Sequence, residues 1–92
     1  MYPKLPVGIK FQKGPKGKKY TAILPDGSKV YFGDSEYEQY KDSVPKNLGG
    51  NLWGHKNHLD LERRRLYRIR HKAQGHYKVK YSPAWFSYYF LW

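Results

Sequence analysis

Six cations fall within ten residues, at Arg63, Arg64, Arg65, Arg68, Arg70 and Lys72. Five of them are arginine, whose planar fork holds a phosphate or carboxylate through two parallel hydrogen bonds; a helix that only needs solubility does as well with lysine and mixes in acids. A second cationic group, Lys13, Lys16 and Lys18 with Lys19 beside them, is interleaved with Gly14, Pro15 and Gly17. Both groups point to the same chemistry, contact with a polyanion or an acidic protein surface. A third feature is aromatic: Trp85, Phe86, Tyr88, Tyr89, Phe90 and Trp92 put six rings in eight residues. A segment with rings on every side must be buried, under the chain's own hairpin and basic helix or in a partner. Trp85, Phe86, Tyr89, Phe90 and Trp92, with Trp53 in a glycine-rich loop, are therefore expected to form a hydrophobic anchor. As a stacking platform for bases the terminal rings are less suited, because they lie apart from the arginine run in sequence.

Catalytic chemistry finds few residues to use. Cysteine is absent, which removes disulfides, thiolate metal sites and a thiol nucleophile. No serine stands in a nucleophile elbow, no glycine-rich phosphate loop precedes a helix, and no paired carboxylates suggest a pocket. His55-Lys56-Asn57-His58 resembles the His-Asn-His arrangement of some nucleases, but its spacing is too compact and no third ligand is evident. With His71 and His76 unplaced, the histidines read as surface or capping residues. The expectation is a protein that is not an enzyme, with no catalytic residue, metal, cofactor or small-molecule substrate.

The elements that must carry these residues belong to one small domain of 92 residues. Ile, Leu, Val and Phe total only 19 residues, so a fold is affordable only if the 13 Tyr and Trp rings are largely buried. The net charge of +11 is distributed as +6 over residues 1–25, −3 over 26–62 and +8 over 63–92. That division suggests two cationic surfaces flanking a neutral hairpin. No apolar run reaches membrane-spanning length and Met1-Tyr2-Pro3-Lys4 lacks a signal-peptide core, so a soluble protein of the cell interior is expected.

Proline and glycine make residues 1–18 an extended basic arm, whose Leu5, Val7, Ile9 and Phe11 alternate so that one face can lie on a surface. Residues 19–33 read as a hairpin, with β-rich runs bracketing Pro25-Asp26-Gly27-Ser28. Ser35 and Glu38 form a capping-box pattern, with Tyr37, Tyr40 and Val44 at helical spacing, which predicts a short helix over 35–43. A basic helix is expected over 58–74, capped by Asn57 and ended by Gly75, burying a stripe of Leu59, Leu66, Ile69 and Ala73. Ser82-Pro83 opens an aromatic helix over 83–92. The class is α+β: a small hairpin with two to three short helices and an extended arm, in which residues 19–92 form the single domain.

Several pieces taken in order resemble a family. These are Lys19-Tyr20-Thr21-Ala22-Ile23-Leu24-Pro25-Asp26-Gly27-Ser28-Lys29-Val30-Tyr31-Phe32-Gly33-Asp34; Tyr37-Glu38-Gln39-Tyr40-Lys41-Asp42; His58 through His71 with its Arg-Arg-Arg run; and Ser82-Pro83-Ala84-Trp85-Phe86-Ser87 with Leu91-Trp92. Together they are similar to small basic proteins encoded by large double-stranded DNA viruses of algae and protists and by some phages. The resemblance implies a viral protein, a virion component made in the host cell interior, and supplies no catalytic residues. Combined with the charge and the rings, it leads to the expectation of a minor capsid or cement-type protein touching capsid or other virion proteins, with packaged DNA as a further partner. The alternative is a sequence-non-specific nucleic-acid-binding protein that grips phosphates through the arginine helix.

Overall fold

Phe11, Tyr20, Ala22 and Phe32 are apolar and sit at period-two spacing within three β-rich runs, so strand pairing gathers them on one face. In a computed structural model of the chain, which describes residues 3–92, they line a three-stranded antiparallel sheet of order β1-β2-β3. Its strands are β1 (Lys10–Lys13), β2 (Lys18–Ile23) and β3 (Lys29–Asp34). Phe11 pairs with Ala22, and Tyr20 with both Lys13 and Phe32. The β2–β3 turn is as expected: the Asp26 carboxylate accepts from Ser28 N at 2.9 Å, and Gly27 takes a φ of 88°.

Two helices follow, α1 (Leu61–Gln74) and α2 (Pro83–Phe90). Helix α2 begins as read from the sequence: the Ser82 hydroxyl accepts from Trp85 N at 3.1 Å and Pro83 occupies the first turn. Its rings complete the core. Phe86 stacks on Phe32 with centroids 5.0 Å apart and meets Phe11 edge-on at 5.9 Å. Trp85, Phe86, Phe90 and Leu91 are all buried in this cluster, joined at its edge by Tyr89, Trp92 and Trp53. The architecture is α+β.

Three sequence expectations change. The arm over 1–18 is largely part of the fold: residues 10–13 add the third strand, and Ile9 and Phe11 are core residues. The sheet face needed a ring opposite Ala22, and Phe11 supplies it. Met1 and Tyr2 lie outside the described residues.

The short helix over 35–43 does not form. Its backbone finds partners elsewhere: Lys41 N donates to Leu91 O at 3.1 Å, Ser43 N to Phe90 O at 2.8 Å, and Gln39 N to Lys56 O at 3.2 Å. Asp34 rather than Ser35 shapes the entry, accepting from Glu36 N at 2.9 Å. The Asp42 carboxylate accepts from the Tyr20 hydroxyl and, at 2.9 Å, from Trp53 N. This buried network outweighs local helix propensity, and burial with the Asp42 bond pushes the Tyr20 hydroxyl pKa upward.

The basic helix starts at Leu61 instead of residue 58, and its cap is Asp60, which accepts from Glu62 N and Arg63 N at 3.0 and 3.1 Å. Asn57 is committed to the network, accepting from Gln39 Nε2 at 2.6 Å and Asp42 N at 2.7 Å. Leu59, at a left-handed φ of 56°, breaks helical continuity. Gly75 closes the helix as expected, at φ 78°.

Of the two settings open to the anchor, the chain's own core takes Trp85, Phe86 and Phe90, with Tyr89, Trp92 and Trp53 partly buried against it. A sheet with one apolar face and few aliphatic residues elsewhere has no other core to close on it.

Candidate nucleic-acid interface

The six helix cations do not share one task. Arg64 Nε donates to the main-chain oxygen of Trp92 at 2.8 Å while its guanidinium lies 4.9 Å from the Tyr40 ring centroid. Arg68 Nε donates to the same oxygen at 3.0 Å and lies 4.5 Å over the Tyr88 ring. These two latch α1 onto the segment just past α2, since Trp92 lies two residues beyond the last helical residue, Phe90. Tyr67 stacks flat on Trp92 at 4.1 Å, and burial pushes its hydroxyl pKa up to about 12. The inward face of α1 is therefore Arg64, Tyr67, Arg68 and His71, and the expected buried stripe of Leu59, Leu66, Ile69 and Ala73 is exposed. Arginine stems and rings pack better against Tyr40, Tyr88 and Trp92 than a narrow aliphatic seam does.

Of the other four, Arg63 pairs with Glu38 at 3.0 Å and Arg65 with Glu62 on the same helix. Both carboxyls are held below the usual range, each by the hydrogen bond from its arginine. Arg70 and Lys72 make no ion pair among the described residues. A cleft of about 490 Å³ between α1 and the sheet is lined by Lys19, Asp34, Glu38, Arg63, Arg70 and Trp92. Its cations are mostly spent. Lys19 is buried, donates Nζ to Tyr37 O at 2.6 Å, and has its pKa lowered to about 8 by burial and the neighbouring Lys56 ammonium. It does not reach outward to an anion with its neighbours.

The lysines before it are arranged differently. Gly14-Pro15-Lys16-Gly17 turns β1 into β2, closed by Lys18 N donating to Pro15 O at 2.9 Å, with Gly17 at a φ of 88°. This turn holds Lys13, Lys16 and Lys18 exposed around a concavity of about 410 Å³, which Ser35 and Trp53 complete. No carboxylate lines it. An adjoining concavity of about 420 Å³ is lined by Lys13, Leu52, Trp53 and His55, so Lys13 and Trp53 are common to both.

Trp53 is fixed from two sides. Its indole Nε1 donates to Lys19 O at 2.8 Å, and its backbone N to the Asp42 carboxylate at 2.9 Å. The exposed His55 ring stacks on it at 5.5 Å and 29°. The glycines that precede it are where the loop must pass close to the body. A Cβ on Gly49 would stand 2.0 Å from Phe11 O, and one on Gly50 2.3 Å from Val44 O. A stacked ring pair beside three lysines that make no ion pair among the described residues can stack a base while holding its phosphates.

Lys13, Lys16 and Lys18 are expected as anion contacts, and the structure brings the three together around one concavity. Trp53 was expected as an anchor and His55 as a surface residue. Their juxtaposition with Lys13 has no local signal, since it depends on a loop 40 residues further along the chain. Among the described residues no group of three or more His, Asp or Glu side chains could hold a metal.

Fold and surface together define a small α+β domain with a lysine- and tryptophan-lined face on the sheet's turn side. A family of unknown function (DUF5754) matches over residues 11–48, a stretch that takes in the lysine turn and the sheet apart from Lys10 but stops before Trp53 and α1. The chain is similar to that family over those residues. No curated protein and no solved structure matches it significantly.

Proposed function

We propose that this protein is a non-enzymatic, sequence-non-specific nucleic-acid-binding protein, acting through the lysine turn and the Trp53–His55 ring pair. The observation that carries the reading is the acid-free concavity in which Lys13, Lys16 and Lys18 surround a half-buried Trp53. Single-stranded nucleic acid is favoured over duplex, because a ring pair is used only when bases are unstacked. This moves the contact away from the arginine helix, where Arg64 and Arg68 are occupied with Trp92. The overall charge of +11 adds long-range attraction that speeds encounter with any polyanion.

A virion setting is a second reading. It is supported by the resemblance to proteins of large DNA viruses, in which a genome-contacting protein would meet packaged DNA. The aromatic terminus no longer supports it, since those rings fill the protein's own core.

Fluorescence anisotropy with a labelled oligothymidine tests the proposal. Lys13→Gln/Lys16→Gln/Lys18→Gln should weaken binding by at least tenfold at moderate salt and reduce the salt slope by about 2, at about 0.7 per phosphate contact on a single strand. Trp53→Ala should cost about 1–3 kcal/mol of affinity. Unchanged affinity in both variants, with loss in Arg70→Gln/Lys72→Gln instead, overturns the assignment.

A further inference from the structure

Helix α1 packs on the domain with its arginine and ring face, and that choice leaves Ile69 and Ala73 outside, with Leu66 and Arg70 at the mouth of the cleft toward the sheet. None of its residues is fully buried. Leu66 is 47% and Ile69 53% exposed, and Ala73 is exposed beside them. At 100° per residue these three fall on one line about 60° wide. Arg63 and Arg70 run along one side of that line, and Arg65 and Lys72 along the other. The result is an apolar seam between two cationic rails, about 10 Å long at 1.5 Å per residue.

We infer that this outer face of α1 docks an acidic amphipathic helix of a partner protein. The spacing Leu66, Ile69, Ala73 is that of a helix–helix seam, whose apolar residues recur every three or four positions and whose flanking positions carry complementary charge. Carboxylates on both sides of the partner's apolar stripe would face Arg70 on one rail and Lys72 on the other, neither of which is ion-paired among the described residues. Charge complementarity with a chain at +11 selects an acidic partner.

Two other anionic surfaces fit less well. A nucleic-acid backbone would neutralise the rails but leave Leu66 and Ile69 in water. An anionic bilayer would have to accept Glu62, which lies in the same line as the aliphatic residues, against its own charge. A protein helix can place a polar or basic residue opposite Glu62.

The test uses the full chain and two synthetic peptides of identical composition. One has Leu at a and d positions with Glu at e and g; the other is scrambled so that the stripe is lost. Binding by anisotropy should favour the periodic peptide by at least tenfold. Leu66→Ser/Ile69→Ser, at exposed positions that leave the far-UV spectrum unchanged, should abolish that preference, and Arg70→Glu/Lys72→Glu should transfer it to a Lys-flanked peptide. Lys13→Gln/Lys16→Gln/Lys18→Gln should leave peptide binding intact, which separates this surface from the nucleic-acid face. Equal binding of both peptides overturns the inference. So does Leu66- and Ile69-dependent binding to phosphatidylglycerol vesicles that exceeds peptide binding, or displacement of the peptide by duplex DNA acting at Arg70 and Lys72.

Discussion

Arg64 and Arg68 converge on one oxygen, and that sharing has a measurable energetic signature. Arg68→Met keeps much of the aliphatic stem but removes the 3.0 Å bond to Trp92 O and the guanidinium over Tyr88; a second contact, to Tyr88 O at 3.5 Å, is too long to matter much. A hydrogen bond from a charged donor is worth about 1.5–3 kcal/mol and a cation–π contact, here on the buried Tyr88 ring, about 0.5–2 kcal/mol. Arg64, however, still donates to the same oxygen at 2.8 Å, so the acceptor is not orphaned by a single change. The single variants should therefore cost only about 1 kcal/mol for Arg64→Met and about 1.5 kcal/mol for Arg68→Met.

Losing both leaves Trp92 O without a partner and detaches the ring that stacks on Tyr67, so the double variant should cost about 4 kcal/mol, exceeding the sum by about 1.5. Urea unfolding followed by circular dichroism at 0.15 M salt measures all four states of the cycle. Arg70→Met supplies the baseline for removing one positive charge from a chain at +11. A double variant within 0.3 kcal/mol of additivity, or a total below about 1 kcal/mol, would show that both arginines face solvent and would return them to the pool of anion contacts.

Two other outcomes follow from the geometry. His58 and His71 both have pKa values lowered by burial and by a neighbouring arginine, Arg63 and Arg70 respectively. The unfolded chain then binds more protons than the folded one as pH falls below the ordinary histidine value of about 6.5, so stability should decline through that window and level off below the folded values. Thermal melts of His58→Asn/His71→Gln should show a flatter dependence, and an unchanged slope would contradict the burial argument. At the loop glycines, Gly49→Ala should cost more than about 3 kcal/mol because a methyl would collide with Phe11 O. Gly27→Ala, with a similar left-handed φ but open space around it, should cost only about 1–2 kcal/mol. Equal costs in urea unfolding would mean that the close approach to β1 is absent.

The sequence made the local signals legible and hid the ones that depend on tertiary partners. The hairpin around Pro25-Asp26-Gly27 and the Ser82-Pro83 start of α2 have their turn and cap chemistry within four residues, and both form where expected. Ser35–Glu38 carries an equally good local pattern, yet Gln39 and Asp42 are drawn into the buried network with Asn57, Tyr20 and Trp53, and helical hydrogen bonds lose to sheet-like pairing. Helix α1 was located to within three residues, but its orientation was inverted. Counting aliphatic residues assigns Leu66 and Ile69 to the core, whereas rings and guanidinium groups do the packing in a chain with 17 aromatic residues in 92. The candidate site was half visible for the same reason: the lysines announce themselves, and the tryptophan that joins them arrives from a loop placed by Asp42 and Lys19 O.

The most direct test of the nucleic-acid face is a two-dimensional ¹⁵N–¹H NMR titration of the full chain with an unlabelled oligothymidine. The Trp53 indole Nε1 cross-peak and the amides of residues 13–18 and 52–56 should shift together and saturate at one stoichiometry, with α1 amides unmoved. Shifts concentrated on residues 63–72, or a Trp53 indole peak that stays in place while the protein binds, would contradict it.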